Sequence, residues 1–138
     1  MGETFLATYG DNLSDVDILK LVDFHRKMGK IATLTTVHPT SRFGDLTIDD
    51  CGIITSFSEK PALQSWINGG FFVFQKKIFE YLDGNECILE RTPFETLTRE
   101  RQLAGYKHEG NWYCMDTYRD YIHLSELWDS GKAGWKVW

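Results

Sequence analysis

Residues 5–12 read FLATYGDN, and Phe5, Leu6, Ala7 and Tyr9 form an apolar and aromatic run that stops at Gly10-Asp11-Asn12. The run predicts a strand over Phe5 to Tyr9. A helix is predicted over Ser14 to Gly29, with Val16, Leu19, Leu21, Val22, Phe24 and Met28 as its apolar stripe. Ser14 with Asp17 resembles a capping pattern, and Gly29 is the expected stop. Ile31 to Val37 (IATLTTV) is nearly all apolar or Thr, as in a strand covered on both faces. Strand, helix and strand in this space make a βαβ unit, hence a parallel pair and an α/β fold. In open α/β sheets, ligands gather beyond the carboxyl ends of the strands. Asp11 stands at such an end, and Gly10 lets the backbone turn and a ligand approach.

The next stretch changes character. Phe43 to Ile48 and Ile53 to Ser58 alternate around Asp49-Asp50-Cys51-Gly52, which predicts an antiparallel ribbon. Ile67 to Phe74 (INGGFFVF) predicts another strand, and Lys76 to Leu82 a short helix. Thr92 is the expected N-cap of a helix over Pro93 to Gln102. Short strands are expected at Leu103 to His108 and Trp112 to Met115, and a last helix at Thr117 to Ser130. Such a sheet normally has more strands before FLATYGD. The expectation is that residues 1–138 are the carboxyl-terminal part of a larger domain, lacking its first strands.

The net charge of −5 and the lack of a Lys/Arg run give no electrostatic footprint for nucleic acid. No apolar run approaches the ~20 residues of a membrane span. The start lacks a signal-peptide pattern, and Met1-Gly2 without Ser or Thr at residue 6 argues against myristoylation. Cys51, Cys87 and Cys114 are odd in number and have no metal-ligand spacing, so reduced thiols and a cytoplasmic location are expected.

Four stretches carry chemistry. Asp11 is either a metal- or hydroxyl-binding carboxylate or a turn residue leading to the helix. In Glu59-Lys60-Pro61, Pro61 is expected to hold Lys60 extended. Glu59 would accept sugar hydroxyls and Lys60 would neutralise a phosphate, or the pair is a solvated strand end. Asn68-Gly69-Gly70 either admits a hydroxylated ligand to the backbone or forms a β-bulge. Asp116 either joins Asp11 on one hard cation or caps the last helix. The four histidines, His25, His38, His108 and His123, are read as structural. Trp128, Trp135 and Trp138 suggest packing against a body or a partner.

The ordered set TYGDN-LSDVDI, RFG, SFSEKP, INGGFFVF, NWYCMDTYRD and SGKAGWKVW resembles the glucose-1-phosphate cytidylyltransferases, a branch of the sugar nucleotidyltransferases. The resemblance runs from about Phe5 to Trp138. It implies a Rossmann-like, mixed and mainly parallel sheet with an attached antiparallel ribbon. It also implies Mg²⁺-dependent formation of CDP-glucose and pyrophosphate from CTP and α-D-glucose 1-phosphate, in the service of bacterial surface polysaccharide. By position, Asp11 and Asp116 would hold the metal and Gly10 would contact substrate. Glu59 and Lys60 match the sugar-phosphate motif, Asn68 and Gly69 the sugar-contacting strand, and Gly44 in RFG would lie near the sugar. Asp11, Lys60 and Asp116 would be the catalytic set, the partners small molecules, and the assembly a homo-oligomer. The family's glycine-rich GxGTRL-type loop and the lysine motif after it are absent: the twelve glycines form no GxG cluster. A weak or inactive isolated chain is therefore expected, the alternative being a non-catalytic sugar-phosphate-binding or self-associating domain. Gly134 replaces the Pro usual in the family's KAPWK tail, which is expected to relax a turn.

Overall fold

A computed structural model describes residues 3–138; the Met1-Gly2 pair lies outside the described residues. The elements in chain order are β1 (Thr4–Thr8), β2 (Asn12–Ser14), α1 (Ile18–Met28), β3 (Ala32–Val37), β4 (Asp45–Ile48), β5 (Ile54–Ser58) and β6 (Ile67–Gln75). A 3-10 helix (Lys76–Tyr81) follows, then α2 (Thr92–Arg99), β7 (Leu103–Lys107), β8 (Trp112–Cys114) and α3 (Tyr118–Asp129).

The main sheet has the order β1-β6-β3-β7. β6 is antiparallel to both β1 and β3, and β7 is parallel to β3. Three of the four strands therefore point the same way, and the sheet is mixed and mainly parallel in direction. The expected β1–β3 pair is not formed. Both strands keep the direction of a βαβ unit, but the nine-residue β6 inserts between them. Its FFVF run supplies the apolar faces that a central strand needs: Phe72, Val73 and Phe74 are all buried. One face packs Phe72 and Phe74 with Ile31, Ala32, Ile78, Phe94 and Leu97. That brings α2 and the 3-10 helix onto that face. The other receives α1 through Leu21 and His25.

Several boundaries depart from expectation. Helix α1 begins at Ile18, because Asp17 rather than Ser14 accepts the Lys20 N–H, at 3.0 Å. Ser14 is drawn instead into β2 by its pairing with Trp112. Gly29 ends α1 as expected, at φ 61°. The apolar stripe is narrower than its composition suggests, since Leu19 projects to solvent. Thr92 is the first residue of α2 rather than its cap. Arg91 flanks the helix without a side-chain cap, and the start is closed by a backbone bond from Phe94 N–H to Leu89 O, 3.1 Å. The β4–β5 ribbon forms as expected but stands out from the body, and every residue from Arg42 to Lys60 is exposed. Only its base is tied down, by the Thr40–Ala62 bridge and the Ser41 N–H to Pro61 O bond of 2.8 Å.

No helix among the described residues is long and apolar enough to cross a membrane.

Candidate functional site

The decisive local structure is the three-pair ladder between β2 and β8, with Asn12 opposite Cys114 and Ser14 opposite Trp112. It continues one step outward, where Met115 N–H donates to Asp11 O at 2.9 Å. Asp11 thus leaves the carboxyl end of β1 and is pinned beside the residues that lead into α3. One oxygen each of Asp11 and Asp116 and the Sγ of Cys114 lie within 4.8 Å of one another.

Asp116 does not cap α3. Thr117 is the N-cap, and its hydroxyl and backbone form a capping box with Asp120. Asp116 is one residue too early for that duty, and its carboxylate stays exposed. The Cys114 thiol donates to Asp116 Oδ1 at 3.1 Å. Burial, then the Asp116 hydrogen bond and the nearby charges of Asp116, Asp11 and Asp120, push that thiol up to about 12. The donor atoms gathered here are two carboxylates and one thiol, of which the carboxylates are the hard ligands. Two carboxylates open to solvent suit a hard cation that keeps water and phosphate oxygens as its other ligands.

The far end of the ladder is locked by a second network. His108 Nε2–H donates to Asp15 Oδ1 at 2.9 Å, and Asn111 Nδ2 donates to Asp15 Oδ2 at 2.7 Å. The Ser14 hydroxyl donates to Asn111 O at 2.7 Å. Burial alone would raise the Asp15 carboxyl. The Asn111 hydrogen bond and the charge and hydrogen bond of His108 outweigh it, and the pKa falls below the ordinary 3.8. Gly110 is required here, because a Cβ would stand 2.7 Å from His108 Cε1. At Gly134 a Cβ would meet the Asn111 side chain at 2.7 Å. The glycine in the tail does more than relax a turn, since it makes room for the amide that holds Asp15.

The Asn68-Gly69-Gly70 stretch joins this cluster. The β3–β6 register shifts between Leu34 and Thr36, which makes the glycines a bulge, and Gly70 sits at φ 76°. The groups that approach the bulge are the chain's own. The Gly69 carbonyl accepts from Trp112 Nε1 at 2.9 Å and Asn12 Nδ2 at 3.3 Å, and a Cβ on Gly70 would collide with the Asn12 amide. Asn68 donates to the Tyr9 hydroxyl at 3.2 Å and accepts from Gly70 N–H at 2.9 Å.

Gly44 and Glu59 meet each other on the ribbon. A Cβ on Gly44 would lie 3.0 Å from the Phe57 ring and 3.3 Å from Glu59 Oε2. Lys60 is not extended: its φ is 47°, the left-handed region. The chain must bend there to carry β5 into the Thr40–Ala62 bridge, and this overrides the preference imposed by Pro61. Gly10 is exposed, directly before Asp11.

The residue that ties the ribbon base to the carboxylates was not among the expected site residues. Arg42, first in the RFG motif, lies 3.6 Å from Asp116 Oδ2 and 3.3 Å from Asp120 Oδ2. Asn12 and Trp112, which join β2 and β8 to the bulge, were also missed. Their only sequence signal was their place inside motifs already singled out.

The comparisons with known proteins bear on the family and the fold. Residues 2–129 match the family model described as nucleotidyl transferase. The chain belongs to the nucleotidyl transferase family. It is 44% identical over 137 residues to the glucose-1-phosphate cytidylyltransferase of Salmonella typhi, covering 99% of this chain and 53% of that protein. It is 27% identical over 124 residues to the mannose-1-phosphate guanylyltransferase catalytic subunit beta of Drosophila melanogaster, covering 87% of this chain and 34% of that one. The crystal structure of HddC from Yersinia pseudotuberculosis matches with a TM-score of 0.63 at 20% identity, over 92% of this chain and 56% of that one, a likeness of fold. The chain thus spans about half the length of the cytidylyltransferase it matches.

Proposed function

We propose that this chain is the sugar-phosphate and metal-binding part of a glucose-1-phosphate cytidylyltransferase. In that reaction a phosphate oxygen of α-D-glucose 1-phosphate attacks the α-phosphorus of CTP in line. The bond to the β-phosphate oxygen breaks, pyrophosphate leaves, and CDP-glucose remains. Such a displacement needs positioning and charge neutralisation more than covalent help from the protein. The observation that carries the reading is the meeting of Asp11 and Asp116 at the carboxyl end of β1, with neither carboxylate used in a helix cap. Asp11 and Asp116 would hold Mg²⁺, which supplies neutralisation of the phosphate charge when bound. Gly10 leaves the approach to Asp11 open. Glu59, opposite Gly44, would receive sugar hydroxyls, and Lys60 would meet the phosphate. Asn68 and Gly69 shape the wall beside Tyr9 and Trp112. The identity to cytidylyltransferases supports CTP and glucose 1-phosphate as the substrates. A homo-oligomer is part of the reading, supported by the exposed apolar side chains of the ribbon. So is a cytoplasmic setting, supported by three free cysteines.

No glycine-rich triphosphate loop stands in the sequence, so the isolated chain is proposed to turn over weakly or not at all. Mn²⁺ titration by electron paramagnetic resonance should show one site that Asp11→Asn and Asp116→Asn each abolish. Pyrophosphate release from CTP and glucose 1-phosphate should stay near background. An Mn²⁺ site indifferent to both substitutions overturns the metal assignment. Robust turnover that Asp11→Asn removes overturns the inactivity.

A further inference from the structure

Residues 42–60 carry Gly44, Glu59 and Lys60, yet their hold on the body is slight. Two backbone bonds close the base of the ribbon, Ser41 N–H to Pro61 O at 2.8 Å and Leu63 N–H to Pro39 O at 2.9 Å. Beside them lies open space, a cavity of about 290 Å³ lined by His38, Thr40, Ala62, His108, Asn111 and Trp112. Thr40 and Ala62 are the two residues of the bridge at the ribbon base. The base therefore has room to tilt.

One charged side chain reaches back from the ribbon. Among the described residues, Arg42 makes the only ion pairs between residues 42–60 and the rest of the chain. Its two anchors are unequal. Asp120 Oδ2, 3.3 Å away, already accepts from Asp116 N–H at 3.2 Å, Thr117 N–H at 2.9 Å and the Thr117 hydroxyl at 2.8 Å. An oxygen with its lone pairs so occupied is a poor further acceptor. Asp116 offers Arg42 its Oδ2, at 3.6 Å, while its Oδ1 takes the Cys114 thiol. Asp116 is thus the anchor with capacity to spare. It is also one of the two carboxylates gathered beside Cys114.

Asp116 cannot serve Arg42 and a cation equally. A carboxylate whose charge is spent on a divalent cation attracts a guanidinium less, and the two positive groups repel each other. Such coupling is reciprocal: the factor by which Arg42 weakens cation binding is the factor by which the cation weakens the hold of Arg42. We propose that Arg42 is a metal-sensitive latch, which ties the β4–β5 ribbon to Asp116 and releases it when that carboxylate takes up a divalent cation. The consequence is an order of events. Glu59 and Lys60 become free to seat on a sugar phosphate only after the charge that neutralises its phosphate is in place. This rests on the metal reading proposed above and adds to it control of the ribbon.

The test follows solvent exchange of the Ser41 and Leu63 amides by NMR in the full chain, with the buried Val73 of β6 as reference. Saturating Mg²⁺, which is diamagnetic, should speed both amides roughly two- to fivefold, the range set by one exposed ion pair, and leave Val73 unchanged. Arg42→Ala should show the fast rates without metal and no response to Mg²⁺. Arg42→Lys keeps the charge without the planar fork and should restore part of the response. Asp116→Asn should speed the same amides without metal, so it reads the latch apart from any cation. Amides indifferent to Mg²⁺ in a chain that binds Mn²⁺ overturn the proposal and leave the metal reading standing. So does a response that survives Arg42→Ala, or an Asp116→Asn variant whose amides exchange as in the parent. A chain that binds no Mn²⁺ at all overturns the metal reading and its control of the ribbon together, and the two failures are thereby told apart.

Discussion

The two halves of the proposed site are built in opposite ways. Asp11 and Asp116 hang from a ladder of only three residue pairs, yet that ladder is fixed at both ends. Asp15, His108 and Asn111 close one end, and the Asp11–Met115 backbone bond closes the other. Gly44, Glu59 and Lys60 flank the end of a longer ladder whose every residue is exposed, including Phe57 at 64%. Ladder length therefore does not decide rigidity here; hydrogen bonds and packing to the body do. A carboxylate pair that must converge on one ion tolerates little movement. A ribbon that meets a sugar can remain adjustable until the ligand, or a partner, seats it.

The largest effect should come from testing that contrast in the body and the ribbon with the same side chain. Phe72 is 2% exposed and touches the rings of Tyr9, Phe74 and Phe94 at centroid distances of 5.2, 5.4 and 5.9 Å. Phe72→Ala should destabilise the chain by about 3–5 kcal/mol, through lost transfer energy and a residual cavity. Phe57→Ala should change stability by no more than about 0.5 kcal/mol, because Phe57 is largely in water already. Urea denaturation of both variants checks this. A loss above about 1.5 kcal/mol for Phe57→Ala, beyond what exposed sites show, would mean that the ribbon belongs to the folding unit.

The α/β class, the order of the elements and the ribbon were legible because each rests on local periodicity and turn residues. The pairing of β6 between β1 and β3 was not. Nothing within FLATYG or IATLTTV says that a strand thirty residues later will separate them, since sheet order is fixed by non-local burial. In the candidate site, Asp11, Asp116, Glu59 and the Asn68-Gly69-Gly70 bulge stood out as residue types at strand ends. Arg42 and the Asp15–His108–Asn111 lock did not. His108 and Asp15 are 93 residues apart. Only the β2–β8 ladder, two three-residue strands with no strong periodic signal, makes them neighbours.

That lock gives the second prediction. The Asp15 carboxyl is held below its ordinary value of 3.8, so the unfolded chain binds its proton first as the pH falls. The stabilisation is fully present above that ordinary value and is lost as the pH drops through the folded value. Asp15→Asn should cost about 1–3 kcal/mol at neutral pH, since His108 keeps a weaker acceptor and the Asn111 amide loses a carboxylate. It should also flatten the loss of stability on the acid side. A residual slope should persist from Asp120. Hydrogen bonds from the Thr117 hydroxyl and backbone, with the Arg42 charge, hold that carboxyl low in the same way. Urea midpoints measured between pH 3 and 7 would decide. An unchanged acid slope in the variant would place the lowered carboxyl elsewhere.

The smallest effect on stability belongs to Arg42, and it separates the two halves of the site most directly. Its guanidinium is 57% exposed and reaches Asp116, one of the carboxylate pair, and Asp120 beside it. An exposed pair of this kind contributes little to folding, so Arg42→Ala should cost no more than about 0.5 kcal/mol. At the metal the sign reverses. Removing a positive charge 3.6 Å from Asp116 Oδ2 leaves that carboxylate more negative toward a cation, and Mn²⁺ should bind a few-fold more tightly. High salt should shrink the difference, because both groups face solvent. Weaker Mn²⁺ binding in Arg42→Ala would mean instead that Arg42 positions Asp116. The ribbon base would then be part of the metal site's support, and the division between a fixed clamp and an adjustable ribbon would fall.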